Sequence, residues 1–389
     1  MSGAGSAAPR LEDAPPIGRL FPWLAPLAGH TDLAFRALCR EQGAAVACTE
    51  MVSAKGLVYG EERKSKKSPC HPAPGGQTRS GVSATRGLLR TSAADQPLVV
   101  QLFGEDPGFL GRAVELLRDW GFGWFDLNLG CSVPKVVKTG AGAALARSIP
   151  AALAAARAML EAAGPLGPYA IGHTGQADET LEDNSLTTDP GCGFPAAAQR
   201  PRSRVGFKIR LGWSREEENY LELASELEQC GAGWLTLHPR YARQGFGGRA
   251  DGQATARRAG RLGIPLLLSG DLFDGASALE RLDESGAAGL MFARGALHNP
   301  AIFRDYLELA GQRSRGRPRA AGEPAFLRSL IMRHAELSRQ YAGETDAAGL
   351  SGERPATALL KMRGAVPRYL KDLPGSRALR LNLSTCRNW

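Results

Sequence analysis

Cys131 is the residue of this chain best suited to chemistry, and it lies within the run DLNLGCSVPKVVK. The segment before it, 124–129, alternates bulky apolar residues with two polar ones, which is typical of a strand buried in a parallel sheet. A glycine ends that strand, so we expect the thiol at a loop tip, where Lys135 and Lys138 would favour the thiolate or position an anionic substrate. The alternative is a buried structural thiol, which is the usual fate of a free cysteine.

The composition is that of a globular protein with excess positive charge. The chain has 389 residues, of which 43% are hydrophobic and 22% are charged. It can therefore bury a large core, and we expect one domain of about 250 residues or more plus a smaller one. The formal net charge is +9. This charge permits a polyanionic partner, although excess charge also serves solubility.

The seven cysteines are far apart and form no CxxC pair. Their spacing favours neither a zinc site nor a disulfide scaffold, and no metal is expected. The first residues lack the positively charged start and apolar core of a signal peptide, and no stretch is long and apolar enough to span a membrane. We therefore expect a cytoplasmic protein that does not associate with membranes.

Short apolar strands alternate with amphipathic helical patterns along most of the chain. Eight strands and seven helices are predicted, and only the link between the second and third strands lacks a full helical pattern. This alternation predicts the α/β class and a (β/α)₈ TIM barrel followed by a small C-terminal helical domain. No strand opens into GxGxxG or GxxxxGK[ST], so a dinucleotide fold or a phosphate-binding loop of those types is not expected. The predicted strands are 20–25, 45–50, 98–103, 124–129, 205–210, 234–238, 265–269 and 289–293, and the predicted helices are 33–42, 108–120, 149–163, 215–230, 252–262, 276–285 and 300–311.

Composition shifts divide the chain into segments. We predict a flexible N-terminus over 1–18 and a barrel over 19–311, with inserted loops near 65–96 and 164–204 that are rich in Gly, Pro, Ser and Thr. A basic stretch at 312–323 contains proline and glycine and is predicted to be a linker. The remaining segment, 324–389, reads as helical.

Polar residues follow the predicted strands where a barrel of this type carries its active site. Ser269-Gly270-Asp271 and Ala293-Arg294 follow the seventh and eighth strands, the usual position of a phosphate site, where glycine lets backbone amides approach and arginine supplies charge. Lys208 needs a partner such as an electron-rich ring or a phosphate, and His238 could bond the same ligand. Plain turns and a satisfied strand-end histidine are the alternatives.

These motifs resemble the dihydrouridine synthases, flavin enzymes that reduce uridine in transfer RNA. The resemblance covers nearly the whole chain, and its most specific part is DLNLGCSVPKVVKTGAGAAL, which is similar to the signature DxNxGCPxxKVxxxxxGxAL. The runs PLAGHTDLAF, VVQLFGEDP, KIRLGW, TLHPRYARQGFGGRAD, SGDLFD and RGAL follow in the order of the family.

The resemblance implies a TIM barrel, bound FMN, NADPH as the reductant and a helical tail that binds tRNA. It implies that Cys131 gives a proton to the uracil ring, and that Asn128, Lys135, Arg240 and Asp251 lie on the substrate side. The positions implied to contact FMN are Pro26, Leu27, Ala28, Gln101, Lys208, His238, Ser269, Gly270, Asp271, Ala293 and Arg294.

Basic residues concentrate in the linker and the tail, which fits a phosphate-binding surface, although an ordinary solvated helical face is the alternative. Two other functions stay open on the sequence. One is an FMN-dependent barrel oxidoreductase that acts on a small molecule, and the other is a non-catalytic RNA-binding protein on the same scaffold. We expect a monomer.

Overall fold

The structure is a computed structural model that describes residues 14–65, 84–166, 203–311, 324–342, 355–371 and 373–387. The predicted linker 312–323, most of the predicted N-terminal segment and the larger part of both predicted insertions lie outside the described residues. The proposed boundary between the barrel and a helical domain therefore stays a prediction.

A closed parallel barrel forms the body of the molecule. All strand pairs are parallel, and β2 and β3 pair with successive parts of β4, through Ala47 with Leu98 and Val52 with Leu102. These two short segments therefore occupy one of eight barrel positions, and the predicted TIM barrel is confirmed. The strands are β1 (Trp23–Leu24), β2 (Val46–Cys48), β3 (Val52–Ser53), β4 (Leu98–Phe103), β5 (Phe125–Asn128), β6 (Val205–Arg210), β7 (Trp234–His238), β8 (Leu266–Ser269) and β9 (Gly289–Phe292).

Helices follow the strands and cover the outside of the barrel. Several begin at a side chain that accepts a hydrogen bond from the first turn, as Asp32, Asp106 and Asp274 do, which satisfies an amide that would otherwise be unpaired. The helices are α1 (Leu33–Glu41), α2 (Ala54–Ser65), α3 (Ala84–Gly87), α4 (Pro107–Asp119), α5 (Pro134–Val137), α6 (Ile149–Ala163), α7 (Tyr220–Gln229), α8 (Gly252–Ala259), α9 (Gly275–Ser285), α10 (Arg294–His298), α11 (Ile302–Ala310), α12 (Pro324–Tyr341), α13 (Pro355–Tyr369) and α14 (Ser376–Thr385).

The prediction of a missing helix between the second and third strands is wrong. The helix α2 has 12 residues and packs against α4, where the rings of Tyr59 and Phe109 lie 5.1 Å apart. The predicted loop 65–96 is also too long at its C-terminal end, because α3 forms within it and Leu89 is fully buried. Arg36 pairs with Asp95 at 2.7 Å, and both side chains are buried.

The interior of the barrel changes from apolar to polar along its axis. Trp23, Trp124 and Trp234 fill the end at which the strands begin, and all three are fully buried. Gly206 makes room for them, because a Cβ there would lie 1.9 Å from the Trp234 ring. One or two residues further along each strand, the inward positions carry Asp126, Lys208 and other polar groups. The polar half of the barrel is therefore the half at which the strands end.

The C-terminal helices pack against α1. Leu330 and Leu337 of α12 contact Ala34 and Leu38 in a small apolar cluster. Ionic contacts hold the same interface, since Lys361 lies 3.2 Å from Asp32, and Arg333 pairs with Glu41 at 2.7 Å. Within the described ranges, no helix is both long and apolar enough to cross a membrane.

Candidate active site

A cleft opens at the carboxyl ends of the barrel strands, and most of the predicted site residues meet there. It is lined by loops after β1, β5, β8 and β9 and by inward side chains of β6 and β7. The predicted residues that line it are Pro26, Leu27, Ala28, Asn128, Cys131, Lys208, His238, Ser269, Gly270, Asp271, Ala293 and Arg294.

The loop that carries Cys131 is tied to the end of its own strand. The Asn128 side-chain oxygen accepts hydrogen bonds from the backbone amides of Gly130, at 3.0 Å, and Cys131, at 2.8 Å. The Cys131 carbonyl in turn accepts a bond from Ala143 at 2.9 Å. Gly142 permits this close packing, because its φ is +64° and a Cβ there would lie 2.7 Å from the Cys131 carbonyl oxygen. The half-buried thiol is therefore held on a constrained turn.

A chain of side-chain amides connects this turn to a buried carboxyl group. Asn128 donates to the Gln101 side-chain oxygen at 2.8 Å, and Gln101 donates to Asp126 at 2.7 Å. Gln101 is fully buried and is not among the residues that line the cleft, and its predicted contact with a cofactor stays a prediction. Its amide fixes the orientation of the Asn128 amide, and through it the turn at Cys131. We call this set, Asp126, Gln101 and Asn128, the amide relay.

Lys208 on β6 and Asp126 on β5 are neighbours, and burial disfavours the charged form of both side chains. Burial raises the pKa of Asp126 to about 7, although the Gln101 hydrogen bond and Lys208 act in the opposite direction. Burial also lowers the pKa of Lys208 to about 8, and nearby Arg210 adds to that effect. No described residue forms a hydrogen bond with the Lys208 ammonium, and one oxygen of Asp126 is buried without a partner. Such an arrangement is more typical of a functional site than of a structural ion pair.

Asp271 organises the rim after β8. Its carboxylate accepts from Arg240 at 2.6 Å, from the Ala250 amide at 2.8 Å and from Arg294 at 2.9 Å. These bonds hold the residue in a left-handed conformation, with φ of +53°. The bonds to Arg240 and Ala250, with the charge of Arg294, lower the pKa of Asp271 against the opposing effect of burial. A stable carboxylate therefore anchors two arginines from two other loops.

Arg294 is flanked by two exposed aromatic rings. Its guanidinium carbon lies 4.5 Å from the centre of the Phe246 ring and 5.2 Å from that of Phe273. Cation–π contacts of this kind restrict the orientation of a guanidinium without neutralising it. Arg294 therefore presents an oriented positive charge at the cleft.

His238 is neutral in this environment. Burial, and then the charges of Lys208, Arg210, Arg240 and Arg294, lower the pKa of His238 far below its usual value. Its Nε2 lies 3.3 Å from an Arg240 nitrogen, so it accepts from that guanidinium.

Three predicted substrate-side residues lie away from the cleft. Lys135 is exposed on α5, and Arg240 is buried, with bonds to Asp271 and to the carbonyls of Gly247 and Gly248. Asp251 accepts from Ala254 at the start of α8 and pairs with Arg257. The contacts that Arg240 and Asp251 make within the protein hold the loops in place, and the substrate contacts expected from these residues stay predictions.

Comparison with known proteins identifies the family of this chain. The profile of the family described as Dihydrouridine synthase (Dus) matches residues 23–182 and 197–385. The chain belongs to the dihydrouridine synthase family. It is 28% identical over 359 residues to the probable tRNA-dihydrouridine synthase 1 of Synechocystis sp., covering 92% of this chain and 80% of that protein. It is also 28% identical to tRNA-dihydrouridine synthase B of Pseudomonas aeruginosa over 358 residues, 92% of this chain and 86% of that one.

A third relative is the probable tRNA-dihydrouridine synthase of Treponema pallidum. This family member is 30% identical to it over 294 residues, which cover 74% of this chain and 70% of that protein. Among solved structures, morphinone reductase matches with a TM-score of 0.44 and 14% identity, over 81% of this chain and 93% of that chain. The old yellow enzyme homologue from Zymomonas mobilis gives the same TM-score and identity, over 78% and 93%.

Two cleft residues of this dihydrouridine synthase family member, Phe246 and Phe273, were missed by sequence reasoning as site residues. Met51 and Arg210, which also line the cleft, follow from the same strand-end argument that placed Lys208 in the site. The two phenylalanines lie in loops, and nothing in their spacing indicates that both reach Arg294. Among the described residues, no group of three or more His, Cys, Asp or Glu side chains could hold a metal ion.

Proposed function

We propose that this chain is a tRNA-dihydrouridine synthase. It reduces the C5–C6 double bond of specific uridines in tRNA, with FMN as the bound cofactor, NADPH as the reductant and Cys131 as the proton donor. The observation that carries this proposal is the position of the Cys131 thiol, which is held at the edge of a cleft lined by Lys208, Arg210 and Arg294. The membership of the family, and the names of its relatives, supply the substrate class.

The residues of the cleft fit a flavin phosphate. The amides of Gly270 and Asp271 make no hydrogen bond to any described residue, although both residues line the cleft. Gly270 has a φ of +103°, and a Cβ there would lie 2.6 Å from the His238 ring. Unpaired amides beside an oriented arginine form the kind of concavity that binds phosphate. Arg294 and this turn would therefore hold the phosphate of FMN.

Lys208 fits the other end of such a cofactor. An ammonium in a polar barrel mouth needs an acceptor, and the electron-rich ring system of a flavin offers one. When bound and reduced, FMN supplies the hydride that uracil needs. Lys208 would bind the ring near the barrel axis and orient it toward the Cys131 turn.

Cys131 would complete the reduction by giving its thiol proton to the ring carbon that does not receive hydride. Lys208 and Arg210 line the same cleft as this thiol. Arg210 is itself fixed by bonds to the Gly130 carbonyl at 2.7 Å and the Tyr241 carbonyl at 3.1 Å. The proton donor and two cationic side chains therefore lie in one site.

The C-terminal helices would hold the RNA beside this cleft. Arg368 lowers the pKa of His30 together with burial, so the positive charge of α13 lies close to the loop after β1. Arg328 of α12 and Arg377 of α14 are exposed, and so is Lys371 in the turn after α13. Exposed arginines and lysines bind the RNA backbone by releasing counterions, and a target base must leave the folded RNA to reach the cleft.

Nucleoside mass spectrometry of tRNA tests this function. Purified protein loaded with FMN would be incubated with NADPH and tRNA that lacks dihydrouridine, in parallel with Cys131→Ala. We expect dihydrouridine at defined positions with the wild type and a strongly reduced yield with the variant. Absence of dihydrouridine with protein that holds FMN would overturn the proposal, and turnover of NADPH with a small unsaturated carbonyl compound instead would indicate a small-molecule reductase.

A further inference from the structure

A second basic surface lies beside the cleft, on the barrel and away from the C-terminal helices. We call it the arginine groove. It is formed by the loop after β6, 211–219, and the loop after β7, 239–251. The residues that line it are Leu211, Ser214, Arg215, Pro239, Tyr241, Arg243, Gln244, Arg249 and Asp251.

The two loops of the groove are joined by their backbones. Leu211 donates to the Arg240 carbonyl at 3.2 Å, Ala242 to that of Gly212 at 2.9 Å and Arg243 to that of Trp213 at 3.0 Å. These bonds hold the two loops side by side. The arginines are therefore carried on a preorganised surface, which lowers the entropy lost when a ligand binds.

The acidic residues around the groove have other partners. Glu217 bonds Arg147 at 2.8 Å, Glu216 accepts from Ser214 at 2.6 Å, and Glu218 accepts from the Tyr241 hydroxyl. Asp251 pairs with Arg257 at 3.3 Å. Arg243 and Arg249 are exposed, and neither forms an ion pair within 4.0 Å with a described carboxylate, although the charge of Arg243 also acts on Glu216.

The groove is continuous with the cleft through the loop after β7. The inner side of that loop places Phe246 in the cleft, while Arg243, Gln244 and Arg249 lie in the groove. Arg210 ties the two sides together, because its guanidinium bonds the Gly245 carbonyl at 3.0 Å. A chain whose base enters the cleft over this rim would pass next to the groove.

We infer that the arginine groove binds the phosphates of nucleotides that flank the target uridine. The inference rests on the proposed function for the identity of the RNA and deepens it by assigning a contact surface on the barrel. Arginine suits this role, because its fork of donors matches the geometry of a phosphate. Contacts of this kind set the register of the RNA without reading its sequence.

The test compares two double variants in the FMN-loaded protein. Arg243→Gln/Arg249→Gln removes two groove charges. Arg118→Gln/Arg261→Gln removes two charges from the last turn of α4 and from the turn before β8, at the opposite end of the barrel. Binding of a tRNA transcript would be measured over a series of KCl concentrations. Each lost phosphate contact reduces the slope of log affinity against log salt by about 0.7–0.9, so we expect a decrease of about 1.4–1.8 for the groove variant.

The control variant is expected to keep the wild-type slope. The groove variant should also raise KM for tRNA while kcat at saturating tRNA stays within about twofold, because its residues do not touch the reacting atoms. Equal slopes for the groove variant and the wild type would overturn the inference. Failure of the proposed function gives a different result, because the wild type would then form no dihydrouridine whatever its slope.

Discussion

Two buried ionic groups of this molecule show opposite designs. Arg36 and Asp95 are shut away from solvent, and Arg36 also donates to the Thr31 carbonyl at 2.6 Å and to that of Arg90. Lys208 and Asp126 lie in the polar half of the barrel, where the ammonium has no hydrogen-bond partner among the described residues. The guanidinium of Arg36 donates its hydrogen bonds to groups inside the protein. The ammonium of Lys208 instead has donors that remain available to a ligand in the cleft.

This difference separates a charge that stabilises the fold from a charge that serves a ligand. A buried charge costs free energy unless it is paired and hydrogen-bonded. Arg36 joins α1 to the segment before β4 and so offsets that cost within the fold. Lys208 bears the cost in the free protein, and we expect a bound anion or flavin ring to offset it.

The largest effect is expected at Cys131, the proposed proton donor in the cleft that Lys208 also lines. Cys131→Ala should lower kcat for dihydrouridine formation by about 10²–10⁴-fold, the usual contribution of a general acid. The midpoint of thermal unfolding should stay close to that of the wild type, because the thiol is only half-buried. A variant with near wild-type kcat would show that the proton comes from elsewhere.

The two ionic groups should respond to different extents to loss of the cation. Arg36→Met should lower the free energy of unfolding by about 3–5 kcal/mol, because it removes the nearer cation from buried Asp95, which keeps only Arg40 at 3.6 Å. Lys208→Met should lower that free energy by less than Arg36→Met does, because relief of the cost of burying the ammonium offsets the loss of its attraction to Asp126. It should nonetheless lose FMN binding. Denaturant unfolding and FMN titration of both variants measure the contrast, and equal destabilisation would remove the distinction.

The amide relay can be tested by reversing its polarity. Gln101→Glu places a carboxylate opposite Asp126 and should raise the rate at which an alkylating reagent modifies Cys131, because the turn loosens. In the double variant Gln101→Glu/Asp126→Asn, the amide at 126 can donate to the carboxylate at 101. The rate of Cys131 alkylation should therefore return toward that of the wild type. Coupling between residues in contact is commonly about 0.5–3 kcal/mol. Mass spectrometry of the peptide that contains Cys131 measures the rate, and an unrescued double variant would argue against the relay.

A smaller effect is expected from pH. The folded pKa of Lys208 is lowered to about 8 from 10.5, so the ammonium loses its proton in the folded protein as pH rises through about 8. Affinity for FMN should therefore fall between pH 7 and pH 9, by less than about tenfold because ligand binding itself favours the charged form. In the absence of ligand, the lowered pKa means that charged Lys208 decreases the free energy of unfolding. This decrease is complete below about pH 8 and becomes smaller as pH rises toward 10.5, the pKa in the unfolded chain. Lys208→Arg should flatten the dependence of affinity, as fluorescence titration would show.

Much of the barrel could be predicted because its pattern is local. The strands β4, β6 and β7 and the helix α6 have the predicted limits, since their apolar periodicity is uninterrupted. The helix α2 was missed because it contains Gly56 and Gly60 and few apolar positions, and its stability depends on contact with α4, which is remote in sequence.

The site was predictable to the extent that the ends of strands converge. Lys208, His238 and Arg294 meet in the cleft because parallel strands end at the same edge. The orientation of loop side chains could not be obtained in this way. Arg240 turns inward because Asp271, after the next strand, accepts its hydrogen bond, and no pattern within either loop records that contact.

The three tryptophans at the base of the barrel give the protein an internal optical probe. The centre of the Trp234 ring lies 5.6 Å from that of Trp23 and 6.4 Å from that of Trp124, so the three indoles form one cluster inside the barrel. A flavin held by Lys208 would lie near the barrel axis and would accept excitation from indole by energy transfer. Indole emission should therefore drop as FMN enters the cleft and recover as it leaves, which allows cofactor exchange to be followed in the unlabelled protein.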